Sequence, residues 1–230
     1  MTSNLIVLEG IQLVPVLELV PTKFSSQTRE SPSGSSRDVP EEWFRYWTDS
    51  LADSNITGLQ PLRRDSWHVP TVNFDVSGNL RRFLEKTFDE WGGIDSLSHS
   101  DCKPVLNGGL ALQCSACDVL IEPGCCADLG DANNWKEAAE YRGTEWQILW
   151  IGHPWLSVRF QPPWLVVSEQ HESDTPSGNW AVSPEELDRA VDEAKSQLER
   201  FAGELARVLP VLGYREDPLE MSRKLAGLCE

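Results

Sequence analysis

An α+β fold follows from three features of this 230-residue chain: one long helical stripe near the C-terminus, helical stripes toward the N-terminus, and closely spaced β-type runs between them. The expected architecture is an antiparallel sheet packed by the long C-terminal helix and by the N-terminal helices. Ser183-Pro184-Glu185-Glu186 opens the C-terminal helix with a capping serine, a proline at the first helical position and a glutamate at the third. Leu187, Val191, Ala194, Leu198, Phe201, Leu205 and Val208 then recur at spacings of three and four, and Pro210 ends the run. Two earlier stripes fit helices. Trp43, Phe44, Trp47 and Leu51 follow Pro40-Glu41-Glu42, and Leu80, Phe83, Leu84, Phe88 and Trp91 precede Gly92-Gly93.

The β-type runs are Leu110–Leu112, Val119–Ile121, Trp146–Ile151, Trp155–Phe160 and Trp164–Ser168. Short turns such as Gly-His-Pro and Gln-Pro-Pro separate the last three, which predicts an antiparallel meander with Pro162 and Pro163 at a turn. Alternating apolar residues predict a strand pair within residues 1–24. Residues 25–39, rich in Ser, Thr, Pro and Gly, read as a flexible linker or a long surface loop. The main domain is expected over 40–209, followed by a tail over 210–230 that adds a short helix.

A hydrophobic content of 40% with ten tryptophans is enough for a core. Mean hydropathy is -0.35 and no long apolar run occurs, which excludes a transmembrane helix as an expectation. Leu5–Val20 lacks a basic leader and is interrupted by Glu9, Pro15 and Glu18, so it does not read as a signal peptide. A cytoplasmic protein is expected. The net charge of -16 disfavours nucleic acid and anionic membranes, and favours a basic protein partner or solubility alone.

Chemistry-bearing residues concentrate between Asn107 and Trp155: Gly108-Gly109, Pro123-Gly124-Cys125-Cys126-Ala127-Asp128-Leu129, and Gly152-His153-Pro154-Trp155. Gly108-Gly109 is most simply a β-turn. Cys114, Cys117, Cys125 and Cys126 could supply four thiolates to zinc, with Cys102 or His99 as substitutes; the alternative is that they pack as small hydrophobes. Cys125 or Cys126 could act as a nucleophile with His153 as base and Asp128 as its orienter. Asp128 and Asp131 also suit helix capping, with Asp131 opening a short helix through Trp135. Trp135 and Trp180 lie near turns and are expected to be the exposed tryptophans.

This block, with Trp135 and Leu149-Trp150-x-Gly152-His153-Pro154-Trp155, resembles a family of uncharacterised bacterial proteins over about residues 104–208. In acidity, tryptophan content and α+β layout the chain is similar to bacterial toxin-immunity proteins of the SUKH superfamily. That resemblance implies a cytoplasmic protein-binding module without a cofactor, an immunity protein that neutralises a basic toxin. Asp128, Asp131 and Trp135 would form the binding loop, buttressed by His153 and Trp155. The competing expectation is a zinc-dependent or cysteine-based enzyme centred on Cys125, Cys126 and His153.

Overall fold

The computed structural model describes residues 5–74, 78–98, 104–173 and 175–229. The fold is α+β, with a mixed sheet and an antiparallel pairing pattern packed against helices. The chain divides into two compact units: Met1–Pro15, Val105–Glu199 and Ala226–Glu230 form one, and Val16–Pro104 with Arg200–Leu225 the other. Among the described residues no helix is long and apolar enough to cross a membrane.

The N-terminal strands, β1 (Ile6–Val7) and β2 (Gln12–Glu18), do not pair with each other. In the first unit β1 runs parallel to β9 (Gly178–Val182) at the end of a five-stranded sheet. The sheet continues through β8 (Trp164–Ser168), β7 (Leu156–Gln161) and β6 (Gln147–Leu149), all antiparallel. This is the expected meander. Gln161 pairs with Trp164, so Pro162 and Pro163 occupy the turn, where no ladder donor is needed. Leu156, Val158, Leu165, Val167 and Val182 supply the buried apolar side chains.

The same unit holds the hairpin of β4 (Gly108–Cys114) and β5 (Val119–Ile121), with β2 on the other side of β4. Gly108 and Gly109 therefore belong to a strand and not to a β-turn. Beyond the hairpin lies α4 (Ala132–Glu140). The helix α5 (Pro184–Val208) begins as expected, with Ser183 Oγ accepting from Glu186 N at 3.3 Å. The reciprocal half of a capping box is replaced. Glu186 instead accepts from the backbone N–H groups of Gly10 and Ile11, anchoring the turn between β1 and β2. Leu187, Val191, Ala194 and Leu198 are fully buried, as their spacing requires.

In the second unit β3 (His68–Pro70) pairs antiparallel with Val16–Glu18 of β2. The helices α1 (Pro21–Phe24), α2 (Pro40–Asp53) and α3 (Asn79–Glu90) bury Phe24, Trp47, Leu51, Phe83 and Phe88. The Trp47 indole N–H donates to the Leu19 carbonyl at 2.9 Å, so this large side chain is buried with its polar atom satisfied. The segment 25–39 is a surface loop. Arg29 pairs with Asp53 at 2.6 Å, and the Trp43 indole N–H donates to Gly34 O at 3.0 Å. The tail forms α6 (Pro218–Leu225), which buries Met221 and Leu225.

Candidate functional site

The segments flagged in the sequence meet in the first unit. Gly108 N donates to Ala127 O and Leu129 N to Leu106 O, which lays the cysteine loop beside the start of β4. On the other side, Gly124 N donates to Ile151 O at 2.7 Å. Cys125 and His153 exchange both backbone hydrogen bonds, at 3.0 and 2.9 Å. Glycine is what permits this approach. A Cβ on Gly124 would stand 2.6 Å from His153 O, and one on Gly152 would stand 2.5 Å from Gly124 O.

The loop then runs into a reciprocal acidic cap. The Asp128 carboxylate accepts from Gly130 N at 2.7 Å, and the Asp131 carboxylate accepts from Asp128 N at 3.2 Å. Asp128 is therefore the capping residue. Asp131 is the reciprocating third position and makes no side-chain cap of its own on α4. Asn134, one turn into α4, donates to Asp131 Oδ1 and to Trp150 O, each at 2.9 Å. Lys136 pairs with Asp188, tying α4 to α5.

These bonds are made in a desolvated place. Burial pushes the Asp128 carboxyl above its ordinary range, against the opposing bond from Gly130. Asp131, 6% exposed, is pushed up to about 7. Burial is the main cause; the bond from Asp128 N opposes it, the Asp128 charge adds to it, and Asn134 opposes it. Both carboxylates expected to face a partner are thus spent on holding the loop.

Trp135 corrects a second expectation. It is 0% exposed, sealed inside α4's apolar face with Ala138 and Ala139, and offers no surface to a partner. Trp180 is half-buried in β9. The exposed large apolar side chains of this region are instead Ile148 at 57% and Trp150 at 43%. They flank the buried Leu149, Ile148 within β6, the outer strand of the five-stranded sheet, and Trp150 just past its end.

Around the turn, the His153 ring meets Trp155 edge-on at 5.1 Å between centroids, and Trp155 meets His171 at 6.1 Å. His171 is held by Ser157 Oγ at 2.9 Å and Ser173 O at 2.8 Å. The carboxylate facing His153 is Glu172, at 3.7 Å, whereas Asp128 is committed to its cap. A Cys125–His153 couple would therefore be oriented by Glu172 and not by Asp128. Cys125 and Cys126 are both exposed, and Cys126 adopts φ +64°, in the left-handed region. An open hollow of about 410 Å³ in the second unit, which includes Arg29, Glu42, Arg45 and Tyr46 in its lining, contains no cysteine or histidine.

The candidate zinc thiols divide into two pairs. Cys114 and Cys117 lie on the turn between β4 and β5, and their Sγ atoms donate to Glu9 O at 3.3 Å and Val7 O at 3.6 Å. Cys125 and Cys126 lie on the loop beside His153. Among the described residues no three His, Cys, Asp or Glu side chains are grouped to hold a metal; Cys102 and His99 lie outside those residues.

Ile148, Asn134 and Glu172 were not singled out from the sequence. For Ile148 the run Trp146–Ile151 marks a strand, a signal that does not say which of its two partly apolar phases is exposed. Asn134 and Glu172 carry no such signal, because their partners lie 16 and 19 positions away. Comparison with family models, with curated proteins and with solved structures gives no match for this chain.

Proposed function

We propose that this chain is a protein-binding module of the bacterial cytoplasm whose partner is a basic protein, and that it acts as an immunity protein neutralising a basic toxin. The observation that carries the reading is the exposed pair Ile148 and Trp150, on and just past an outer strand, in a chain of net charge -16. Exposed tryptophan beside an aliphatic side chain supplies contact area with little rotamer entropy to lose, as interface anchors do. The exposed acids Glu137, Glu140 and Glu145 lie on α4 and on the approach to β6, where they would steer a basic partner.

The role of the flagged loop changes accordingly. Asp128, Asp131 and Asn134 hold the Trp150 end of β6 in place, and His153 locks the cysteine loop from the other side. The partner contact falls on Ile148 and Trp150. Affinity capture with the tagged chain and with a Trp150→Ser variant tests this. The wild type should retain one basic protein that salt releases, and the variant should lose it while unfolding at the same temperature. Equal retention by both proteins would remove Trp150 from the interface.

A second reading, a zinc-dependent or cysteine-based activity at Cys125, Cys126 and His153, draws on the Cys125–His153 pairing. Opposed residues of an antiparallel pair present their side chains on one face. Rapid alkylation of Cys125 at neutral pH, slowed by His153→Ala, would favour it over the binding role. A Cys125 that reacts no faster than a simple thiol would count against it.

A further inference from the structure

We infer that Cys114 and Cys117 form a redox-active dithiol that closes reversibly to a disulfide, a modification site separate from the partner surface. Cys114 ends β4, and Ser115–Cys117 is a 3₁₀ turn that starts from it. One 3₁₀ turn brings residues three apart into eclipsed positions, with about 6 Å between their Cα atoms. A disulfide needs roughly 4.4–6.8 Å. The turn is closed by Asp118 at φ +53°, which lets the chain reverse directly into β5.

The sulfur atoms bear this out. Burial and the neighbouring Cys117 thiol hold the Cys114 thiol above its ordinary range. Their S–H groups address carbonyls two residues apart, Val7 O and Glu9 O, so both point to the same side of the turn. The other thiol pair differs: Cys125 and Cys126 are adjacent in sequence and exposed.

Accessibility sets the order of events. Cys117 is half-exposed and Cys114 fully buried, so Cys117 meets a solution oxidant first. With a low-molecular-weight disulfide as oxidant, the Cys117 thiolate attacks one sulfur and expels the first thiolate, giving a mixed disulfide. The Cys114 thiol, which burial and the neighbouring thiol hold above its ordinary range, then loses its proton and attacks the Cys117 sulfur. That expels the second thiolate. Two protein thiols and one disulfide become one protein disulfide and two small thiols. Oxidation also withdraws both S–H donors from the link between β1 and β2.

The test is equilibration of the full reduced chain with glutathione and glutathione disulfide at a series of ratios, then alkylation and peptide mass mapping. A Cys114–Cys117 cross-link should accumulate in a two-electron transition and revert on adding excess glutathione. Cys125→Ser/Cys126→Ser should leave that transition in place, and Cys117→Ser should abolish it. Glutathionylation of Cys117 without ring closure would overturn the inference. So would Cys114 remaining fully alkylatable in glutathione disulfide alone, or the same transition persisting in Cys117→Ser.

Discussion

Asp131 and Trp150 are joined through one side chain: the Asn134 amide nitrogen donates to the Asp131 carboxylate and to the Trp150 carbonyl, each at 2.9 Å. The acidic cap and the exposed end of β6 are therefore tied to each other. A partner that grips Trp150 meets a strand end already fixed from behind. Pre-organisation of this kind reduces the entropy lost on binding.

Removing that joint should be felt twice. Asn134→Ala should cost about 1–2 kcal/mol of stability, because Asp131 loses a hydrogen bond in a desolvated place. It should also weaken partner binding without touching the contact surface. Chemical denaturation and a binding titration on the same variant measure the two effects.

Asp128→Ala should act on stability alone, costing about 1 kcal/mol as the loss of a capping side chain does. Its partner affinity, extrapolated to fully folded protein, should stay within a factor of two to three of wild type, the spread expected of a non-contacting site. A large affinity loss in a variant of unchanged stability would restore Asp128 to the interface.

The buried Asp131 carboxyl gives the protein a pH signature. Its folded value, about 7, lies above the ordinary 3.8, so the folded state holds a proton that the unfolded state gives up between those limits. The stabilising contribution of the protonated form is complete below pH 4 and is lost as pH rises through 7. Wild type should therefore lose stability relative to Asp131→Asn between pH 5 and pH 8. Paired thermal unfolding at the two pH values shows it; a constant difference between the two proteins would place the Asp131 value in the normal range.

Gly124→Ala and Gly152→Ala should each destabilise strongly, by more than about 2 kcal/mol, since the new methyl group meets main-chain atoms that cannot rotate away. In both cases the contact lies at 2.5–2.7 Å to backbone. Gly203→Ala, within α5 and with nothing near its would-be Cβ, should instead be neutral or stabilising. Comparing the three by thermal unfolding separates close approach from a general intolerance of side chains.

Much of this fold was legible because its strongest signals are local. The α5 stripe, the Ser183 cap and the meander around Pro162-Pro163 need no distant partner to be read. What failed was long-range. Trp135 sits near a turn, yet α4 buries it completely, since the phase of a short helix is set by what packs on it. Gly108-Gly109 looks like a turn, and only its strand neighbours show otherwise. In Trp146–Ile151 both alternating phases contain apolar residues, so periodicity could not say which faces solvent. In the folded chain Leu149 is buried while Ile148 and Trp150 are exposed. The block from Asn107 to Trp155 was legible as the place where chemistry-bearing residues concentrate. Its carboxylates serve construction, and the apolar pair beside them was overlooked.

The most direct measurement is the affinity of the captured basic partner for wild type and for Trp150→Ser, with thermal unfolding of both proteins in the same buffer. Unchanged unfolding with an affinity loss of about 30-fold, equivalent to about 2 kcal/mol, is the predicted result. Equal affinities would contradict the placement of the binding surface on β6.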